Sequence, residues 1–135
     1  MLQPKRQKYR KQFRGKRRGF RVKGSSLDFS EYGLKSLGNA WLSAKQIEAA
    51  RKAITHFTKR VGKLWIRVFP DKSYTKKAAG SRMGGGKGDI DGYVAVVRPG
   101  RIIFELGGVE AEIAKGALKR ASAKLPFKTK IVTKE

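Results

Sequence analysis

The sequence predicts an α+β fold: a small mixed or antiparallel sheet, two amphipathic helices, a basic N-terminal arm and a long glycine-rich loop. Two segments repeat apolar residues at three and four positions, which is typical of helices that bury one face. Several shorter segments alternate or are rich in β-branched residues, which is typical of strands. The chain of 135 residues suits one small domain. We therefore expect an arm at residues 1–26 and a single domain at 27–135 that carries a loop at 70–92.

The charge of the chain limits its possible partners. Its 33 Lys and Arg residues against 10 Asp and Glu give a formal net charge of +23. A free globular protein gains nothing from so much self-repulsion, so we expect a polyanion to neutralise it. Phosphate backbones, anionic membranes and acidic proteins are the candidates.

The residue types that common enzyme sites need are scarce. The chain has no Cys and one His, His56, which leaves no disulfide, no Cys-based metal site and no nucleophilic triad. The first residues lack the apolar core of a signal peptide, and no apolar run approaches the roughly 20 residues of a membrane helix. We expect no cofactor, no metal, no membrane and no small-molecule substrate, and a protein that works inside the cell or an organelle.

The N-terminal arm combines cations with interleaved aromatic residues. Gly15, Gly19 and Gly24 interrupt any helix, and the first acid is Asp28. Aromatic rings and guanidinium planes stack on unpaired bases, and basic arms commonly fold on nucleic acid. A flexible solubilising or localisation tail is the alternative. We predict that the arm contacts RNA through Lys5, Arg6, Lys8, Tyr9, Arg10, Lys11, Phe13, Arg14, Lys16, Arg17, Arg18, Arg21 and Lys23.

Residues 27–62 predict short strands followed by the first helix. Residues 27–37 favour one or two strands whose core-facing residues are Leu27, Phe29, Tyr32 and Leu34. Gly38-Asn39 is a turn signal. Ser43 and Gln46 have the spacing of a capping box, so the helix begins after Ser43, and Gly62 ends it. Its apolar stripe consists of Ile47, Ala50, Ile54, Phe57 and Val61.

The outer face of this helix and the segment after it lack acids between Glu48 and Asp71. Surface helices usually mix both signs of charge, so this face is expected to meet phosphates. His56, at the edge of the stripe, is expected to pack or form hydrogen bonds rather than bind a ligand. The predicted RNA contacts here are Arg51, Lys52, Lys59, Arg60, Lys63 and Arg67.

The remaining elements follow from alternation and periodicity. Residues 63–69 predict a strand that is central or covered by another element, because both of its faces hold apolar residues. Residues 93–97 and 101–106, joined by Pro99-Gly100, predict an antiparallel hairpin. Residues 127–132 predict a last strand. A second helix is expected at 110–124, with its buried face formed by Ile113, Ala114, Ala117, Leu118, Ala121 and Leu125.

The glycine-rich loop at 70–92 matches no complete phosphate-binding motif. A Walker A loop would need Gly at Ser81 and Ser or Thr at Gly88, and the Rossmann fingerprint fails at Asp89. Gly85 to Gly88 fits the GXXG clamp, but no helix pair flanks it. Asp89 and Asp91 alone make no catalytic site. A basic loop that enters an RNA crevice through Arg82 and Met83, and an ordinary mobile loop, both fit the sequence.

Over nearly its whole length, the chain resembles the bacterial and organellar large-subunit ribosomal protein L-sixteen family. The resemblance is carried by these runs, in which x marks a position outside the match: ML-x-PKR-x-KYRK at 1–11, FRG at 13–15, AW at 40–41, QIEAAR at 46–51, K-x-WIR-x-FPDK at 63–72, RMG-x-GKG at 82–88, VAVV-x-PG at 94–100 and KLP-x-KT at 124–129. The chain departs from the family pattern at Gly38-Asn39, Ser73, residues 78–80 and residues 89–93.

The resemblance implies a hammerhead-type α+β fold and an architectural, non-enzymatic role. It implies binding to large-subunit ribosomal RNA near the A-site and P-site tRNAs, beside neighbouring ribosomal proteins, in the ribosome of the cytoplasm or of an organelle. The resemblance also implies that the basic arm and the loop point toward the functional core of the subunit. The loop residues concerned are Lys76, Lys77, Arg82, Met83, Gly84, Gly86, Lys87 and Gly88.

Three other classes remain as alternatives. A DNA-compacting protein or general RNA chaperone would share the charge but prefer no folded ribosomal RNA. A membrane-active cationic protein would need an apolar helix face free for lipid. An RNA-directed enzyme would need Lys87, Asp89 or Asp91 for turnover.

Overall fold

A computed structural model describes residues 2–4, 26–76 and 89–134, with two helices and seven strands in these ranges. It confirms the predicted α+β class. The arm residues 5–25 and the loop residues 77–88 lie outside the described part. In chain order the elements are β1 Tyr32–Ser36, β2 Ala40–Ser43, α1 Ala44–Phe57, β3 Lys63–Ile66, β4 Lys72–Lys76, β5 Asp89–Val97, β6 Ile102–Gly107, α2 Ala111–Ser122 and β7 Thr129–Thr133.

The strands form two antiparallel sheets. A four-stranded sheet has the order β3-β6-β1-β7, and a three-stranded sheet has the order β2-β5-β4. Strand β6 lies between β1 and β3 and is buried at every residue. The predicted last strand is confirmed as β7, which pairs with β1.

The predicted hairpin of residues 93–97 and 101–106 is wrong. The turn at Pro99-Gly100 is present, and Gly100 has a φ of 94°. However, β5 pairs with β2 and β4, whereas β6 pairs with β1 and β3. The chain therefore crosses from one sheet to the other at this turn. A local turn signal fixes a change of direction, but not the strand that becomes the neighbour.

Strand boundaries also differ from the predictions. The segment 70–92 is not a single irregular loop, because β4 and β5 occupy both of its ends and pair with each other. Strand β2, which immediately precedes α1, was not predicted. Strand β3 is an edge strand rather than a central one. Phe29 stacks on Trp65 of this strand, but Phe29 lies in a segment without helix or strand.

Both helices pack their apolar faces on the sheets and on each other. The predicted capping box is present: Gln46 N–H donates to Ser43 Oγ at 3.2 Å, and Ser43 N–H donates to Gln46 Oε1 at 2.9 Å. The fully buried positions of α1 are Ile47, Ala50 and Ile54, and those of α2 are Ala114, Ala117, Leu118 and Ala121. Leu2 also packs against this core, which the prediction of a separate arm did not anticipate.

Three residues predicted to lie in the core are exposed. Val61 is 60% exposed because α1 ends at Phe57, before the apolar stripe reaches Val61. Ile113 is 38% exposed in the first turn of α2, and Phe29 is 57% exposed beside β3. Among the described residues, no helix has both the length and the apolarity to cross a membrane.

A buried carboxylate joins distant parts of the chain. Glu105, on β6, is fully buried, and its Oε1 accepts the backbone N–H groups of Asp28, Phe29 and Ser30 at 3.0–3.1 Å. Its Oε2 accepts Arg67 Nη1 at 3.0 Å, and Arg67 Nη2 donates to Asp28 Oδ2 at 2.9 Å. We call this group, consisting of Glu105, Arg67, Asp28 and the backbone of residues 28–30, the Glu105 network. It fixes the segment before β1 onto β3 and β6.

Replacement of Glu105 is expected to destabilise the fold. The change Glu105→Gln should lower the free energy of unfolding by about 3 kcal/mol, because it removes the buried carboxylate that pairs with Arg67 and leaves that guanidinium only Asp28 and the backbone oxygen of Ser26. Urea unfolding followed by tryptophan fluorescence measures the effect. The control Glu31→Gln, at an exposed position, should change the free energy by less than about 0.5 kcal/mol. Equal effects of the two changes would contradict the structural role of Glu105.

Candidate nucleic-acid interface

The end of α1 presents two cations on an unusual backbone. Thr58 caps the helix, and its buried hydroxyl donates to Ile54 O at 3.1 Å. Lys59 and Arg60 follow with φ angles of 55° and 65°, a left-handed conformation that residues other than glycine seldom adopt. Arg60 N–H returns to Thr55 O at 3.0 Å, which closes the turn. Both side chains are exposed, so the turn holds two positive charges toward solvent.

The outer face of α1 adds cations of two kinds. Lys52 is exposed. Arg51, in contrast, forms an ion pair with Glu48, with Nη2 3.0 Å from Oε2 and Nε 3.3 Å from Oε1. The hydrogen bond from Arg51 lowers the pKa of Glu48 below its ordinary value, and the same bond raises the pKa of Arg51. Arg51 would therefore have to share its guanidinium between Glu48 and any phosphate.

Of the two predicted contacts on and after β3, Lys63 is exposed and Arg67 is held inside the protein. Lys63 is exposed, and its ammonium lies 5.4 Å from the ring centroid of Trp65. The Arg67 side chain is only 12% exposed, and its guanidinium is held by Glu105, Asp28 and the backbone oxygen of Ser26. The alternating pattern of this segment could not reveal that Arg67 has a buried partner. We infer that Arg67 positions the surface rather than contacting phosphate.

Two cations at the end of α2, Arg120 in the helix and Lys124 in the turn after it, were not among the predicted contacts. Arg120 and Lys124 line a groove of about 530 Å³ between the helices, together with Ala53, His56, Phe57 and Ala123. The Arg120 guanidinium lies 5.0 Å from the ring centroid of Phe57. His56 is exposed beside this groove rather than packed in the core. In the predicted helix at 110–124 the spacing of four between Arg120 and Lys124 favours a common face, and this is the sequence signal that could have identified them.

Most predicted contacts of the arm and the loop lie outside the described residues. This applies to the arm residues from Lys5 to Lys23 and to the loop residues from Lys77 to Gly88. Lys76 is described through its backbone alone, at the end of β4. The described surface therefore contributes α1, the turn after it, Lys63 and the groove between the helices. Among the described residues, no group of three or more His, Cys, Asp and Glu could hold a metal ion.

Comparison with known proteins extends over the whole chain. The model of a family described as ribosomal protein L16p/L10e matches residues 4–132. The chain belongs to this family. The match spans the arm, the domain and the loop, so the family resemblance seen in the sequence runs is confirmed.

Individual members of the ribosomal protein L16p/L10e family are similar at high identity. Large ribosomal subunit protein uL16 of Pseudothermotoga lettingae is 60% identical over 134 residues, which cover 99% of this chain and 94% of that protein. The uL16 protein of Thermosipho africanus is 58% identical over 132 residues, with 98% and 93% covered. Large ribosomal subunit protein uL16c of Phaeodactylum tricornutum is 56% identical over 135 residues, with 100% and 98% covered.

The ion pair on α1 gives a prediction about pH. In the folded chain the pKa of Glu48 should lie below its ordinary value of 4.5, and Arg51→Gln should return it toward that value. Because the folded pKa is lowered, the pair stabilises the fold at neutral pH, and this contribution is lost as the pH falls through the folded pKa. Carbon-detected NMR titration of the Glu48 carboxyl measures the shift. Lys45→Gln, an exposed cation one helical turn away, should leave the pKa of Glu48 unchanged.

Proposed function

We propose that this chain is a structural, non-enzymatic constituent of the large ribosomal subunit that binds ribosomal RNA beside neighbouring ribosomal proteins. The observation that carries the proposal is the cationic surface of α1 and the turn after it, in a chain that the family model matches from residue 4 to residue 132. The relatives are named large ribosomal subunit proteins. The place of action is the ribosome, in the cytoplasm or in an organelle.

The surface of α1 suits a phosphate backbone in both charge and shape. Lys52, Lys59 and Arg60 are exposed, and the chain has no acid between Glu48 and Asp71. Cations that neutralise phosphates release counterions, which supplies much of the affinity for nucleic acid. Contacts to phosphate also fix the orientation of the protein on the RNA. A rigid helix with a closed turn at its end would therefore dock the domain in one orientation.

The finer part of the proposal concerns the tRNA-binding region. We propose that the arm and the loop help to shape the surroundings of the A-site and P-site tRNAs, through Lys76, Lys77, Arg82, Met83, Gly84, Gly86, Lys87 and Gly88. Support comes from β4 and β5, whose register places Lys76 opposite Asp89. The two residues that flank 77–88 therefore lie opposite each other in paired strands.

A general nucleic-acid binder is the second candidate, because the charge of +23 would serve it equally well. It would bind any duplex with a steep dependence on salt. The family match favours the ribosomal function, and it also disfavours an enzyme that acts on RNA.

The α1 surface can be tested through the salt dependence of binding. Combining Lys52→Gln, Lys59→Gln and Arg60→Gln should weaken binding to a fragment of large-subunit ribosomal RNA, and each lost phosphate contact should reduce the salt slope by about 1. Fluorescence anisotropy over a range of KCl concentrations measures both quantities. The matched control is Lys130→Gln, an exposed lysine on β7, which should keep the slope. An unchanged slope in the triple variant would exclude this surface as a phosphate contact.

The assignment to the subunit can be tested in cell lysate. In gradient sedimentation followed by mass spectrometry, the chain should travel with the large subunit at about one copy per particle. It should remain there through moderate salt, because many contacts dissociate together only at high ionic strength. A spread over free RNA or DNA that disappears as salt rises would instead identify a general nucleic-acid binder.

A further inference from the structure

A cleft of about 770 Å³ lies beside β3, where the four-stranded sheet meets the three-stranded sheet. Its lining includes two exposed aromatic rings, Phe29 at 57% and Phe69 at 46% exposure. Phe29 stacks on Trp65 with a centroid separation of 5.8 Å and an interplanar angle of 11°. The surface role proposed above does not use these rings. Exposed large apolar residues that cluster at a cleft commonly mark a binding site.

The Glu105 network holds Phe29 in place from two directions. The backbone N–H of Phe29 donates to Glu105 Oε1 at 3.0 Å, and the guanidinium carbon of Arg67 lies 5.6 Å from the centroid of the Phe29 ring. Arg67 is itself fixed by Glu105 and by Asp28. An exposed ring that is already ordered loses little conformational entropy when a ligand stacks on it.

We propose that this cleft receives one unpaired base of RNA, which stacks on Phe29 with Phe69 beside it. The proposal rests on the proposed RNA-binding function and names the part of the RNA that this site takes. Bases within a duplex already stack on their neighbours, whereas bases in loops and bulges offer a face to aromatic side chains. The volume falls within the range of small-ligand sites, about 300–1,000 Å³, and so fits a single base.

The charges around the cleft favour a nucleotide over an apolar peptide. Arg67 pairs with the carboxylates of Glu105 and Asp28 at 3.0 Å and 2.9 Å, and its single positive charge offsets one of their two negative charges. Arg101 is a second cation of the lining, and Lys63, whose ammonium lies over the Trp65 ring, adds a cation beside the cleft. Asp71, an exposed residue of the lining, is the remaining acid of the cleft. A nucleotide would use the ring for its base and a cation for its phosphate, whereas an apolar peptide would use the ring alone.

The experiment compares two RNA hairpins with the same stem, one fully paired and one with a single bulged 2-aminopurine. The full chain should bind the bulged hairpin roughly tenfold more tightly, as expected for one base stacked on an aromatic ring. Binding should also quench the fluorescence of the 2-aminopurine. Phe29→Ala should remove most of this preference, while affinity for the paired hairpin and its salt slope stay unchanged. Phe29→Tyr should retain the preference because it keeps the aromatic face.

Further variants separate loss of the site from loss of the fold. Phe69→Ala should reduce the preference without touching the Glu105 network. Leu37→Ala, at a residue that is also exposed but does not line the cleft, should leave the preference intact. Urea unfolding of each variant shows whether the fold is maintained.

The outcomes distinguish this proposal from the proposed function. If the natural chain binds both hairpins equally with a steep salt slope, the base site is excluded and the RNA-binding function stands. If neither hairpin binds, the RNA-binding function fails as well. If the preference survives both Phe29→Ala and Phe69→Ala, the base is held elsewhere. If no preference exists and Phe29→Ala instead prevents a neighbouring ribosomal protein from joining the subunit, the cleft belongs to a protein partner.

Discussion

The carboxylate of Glu105 is the group on which the surroundings of β3 depend. A buried charge costs several kcal/mol unless partners replace its lost water, and Glu105 obtains four: three backbone N–H groups and Arg67. These partners come from the segment before β1 and from the residue after β3. The segment 26–30 has no strand or helix of its own, so this network takes the place of a hydrogen-bonded ladder. The stacking of Phe29 on Trp65 and the shape of the cleft follow from it.

The cations of the chain consequently do two different kinds of work. Arg67 donates its hydrogen bonds within the molecule, because its planar guanidinium can bind two carboxylates at once. Lys52, Lys59 and Arg60 have exposed side chains and are suited to an external polyanion. Arg51 shares features of both groups: it lies on the outer face of α1, but it forms an ion pair with Glu48. Net charge alone therefore overstates the number of cations that RNA would meet.

The sequence predicted local features well and distant pairings poorly. The start of α1 was predicted from Ser43 and Gln46, since a capping box involves residues three apart. The hairpin at Pro99-Gly100 was wrong because the neighbours of β5 and β6 lie far away in sequence. The partner of Arg67, Glu105, is also distant in sequence and was not predicted. The exposure of Phe29, whose backbone N–H binds the same carboxylate, was therefore not predicted either. The family was recognised because long runs occur in the same order. The RNA contacts of the arm, the loop and α1 stay predictions. The turn at Lys59 and Arg60 was not predicted, because the apolar stripe placed both residues inside the helix.

The two open sheets leave β3, β7, β2 and β4 as edge strands within the described part of the chain. Unpaired strand edges are templates for pairing with other copies, and proteins blunt them with charge. Here the positive charge that attracts RNA would also hold separate copies apart before assembly. Neutralisation by a polyanion removes this repulsion at the moment of binding. A copy that is neutralised and also fixed in place by its polyanion cannot pair its edge strands with another copy. A copy that is neutralised but loosely bound is therefore the form most prone to aggregate.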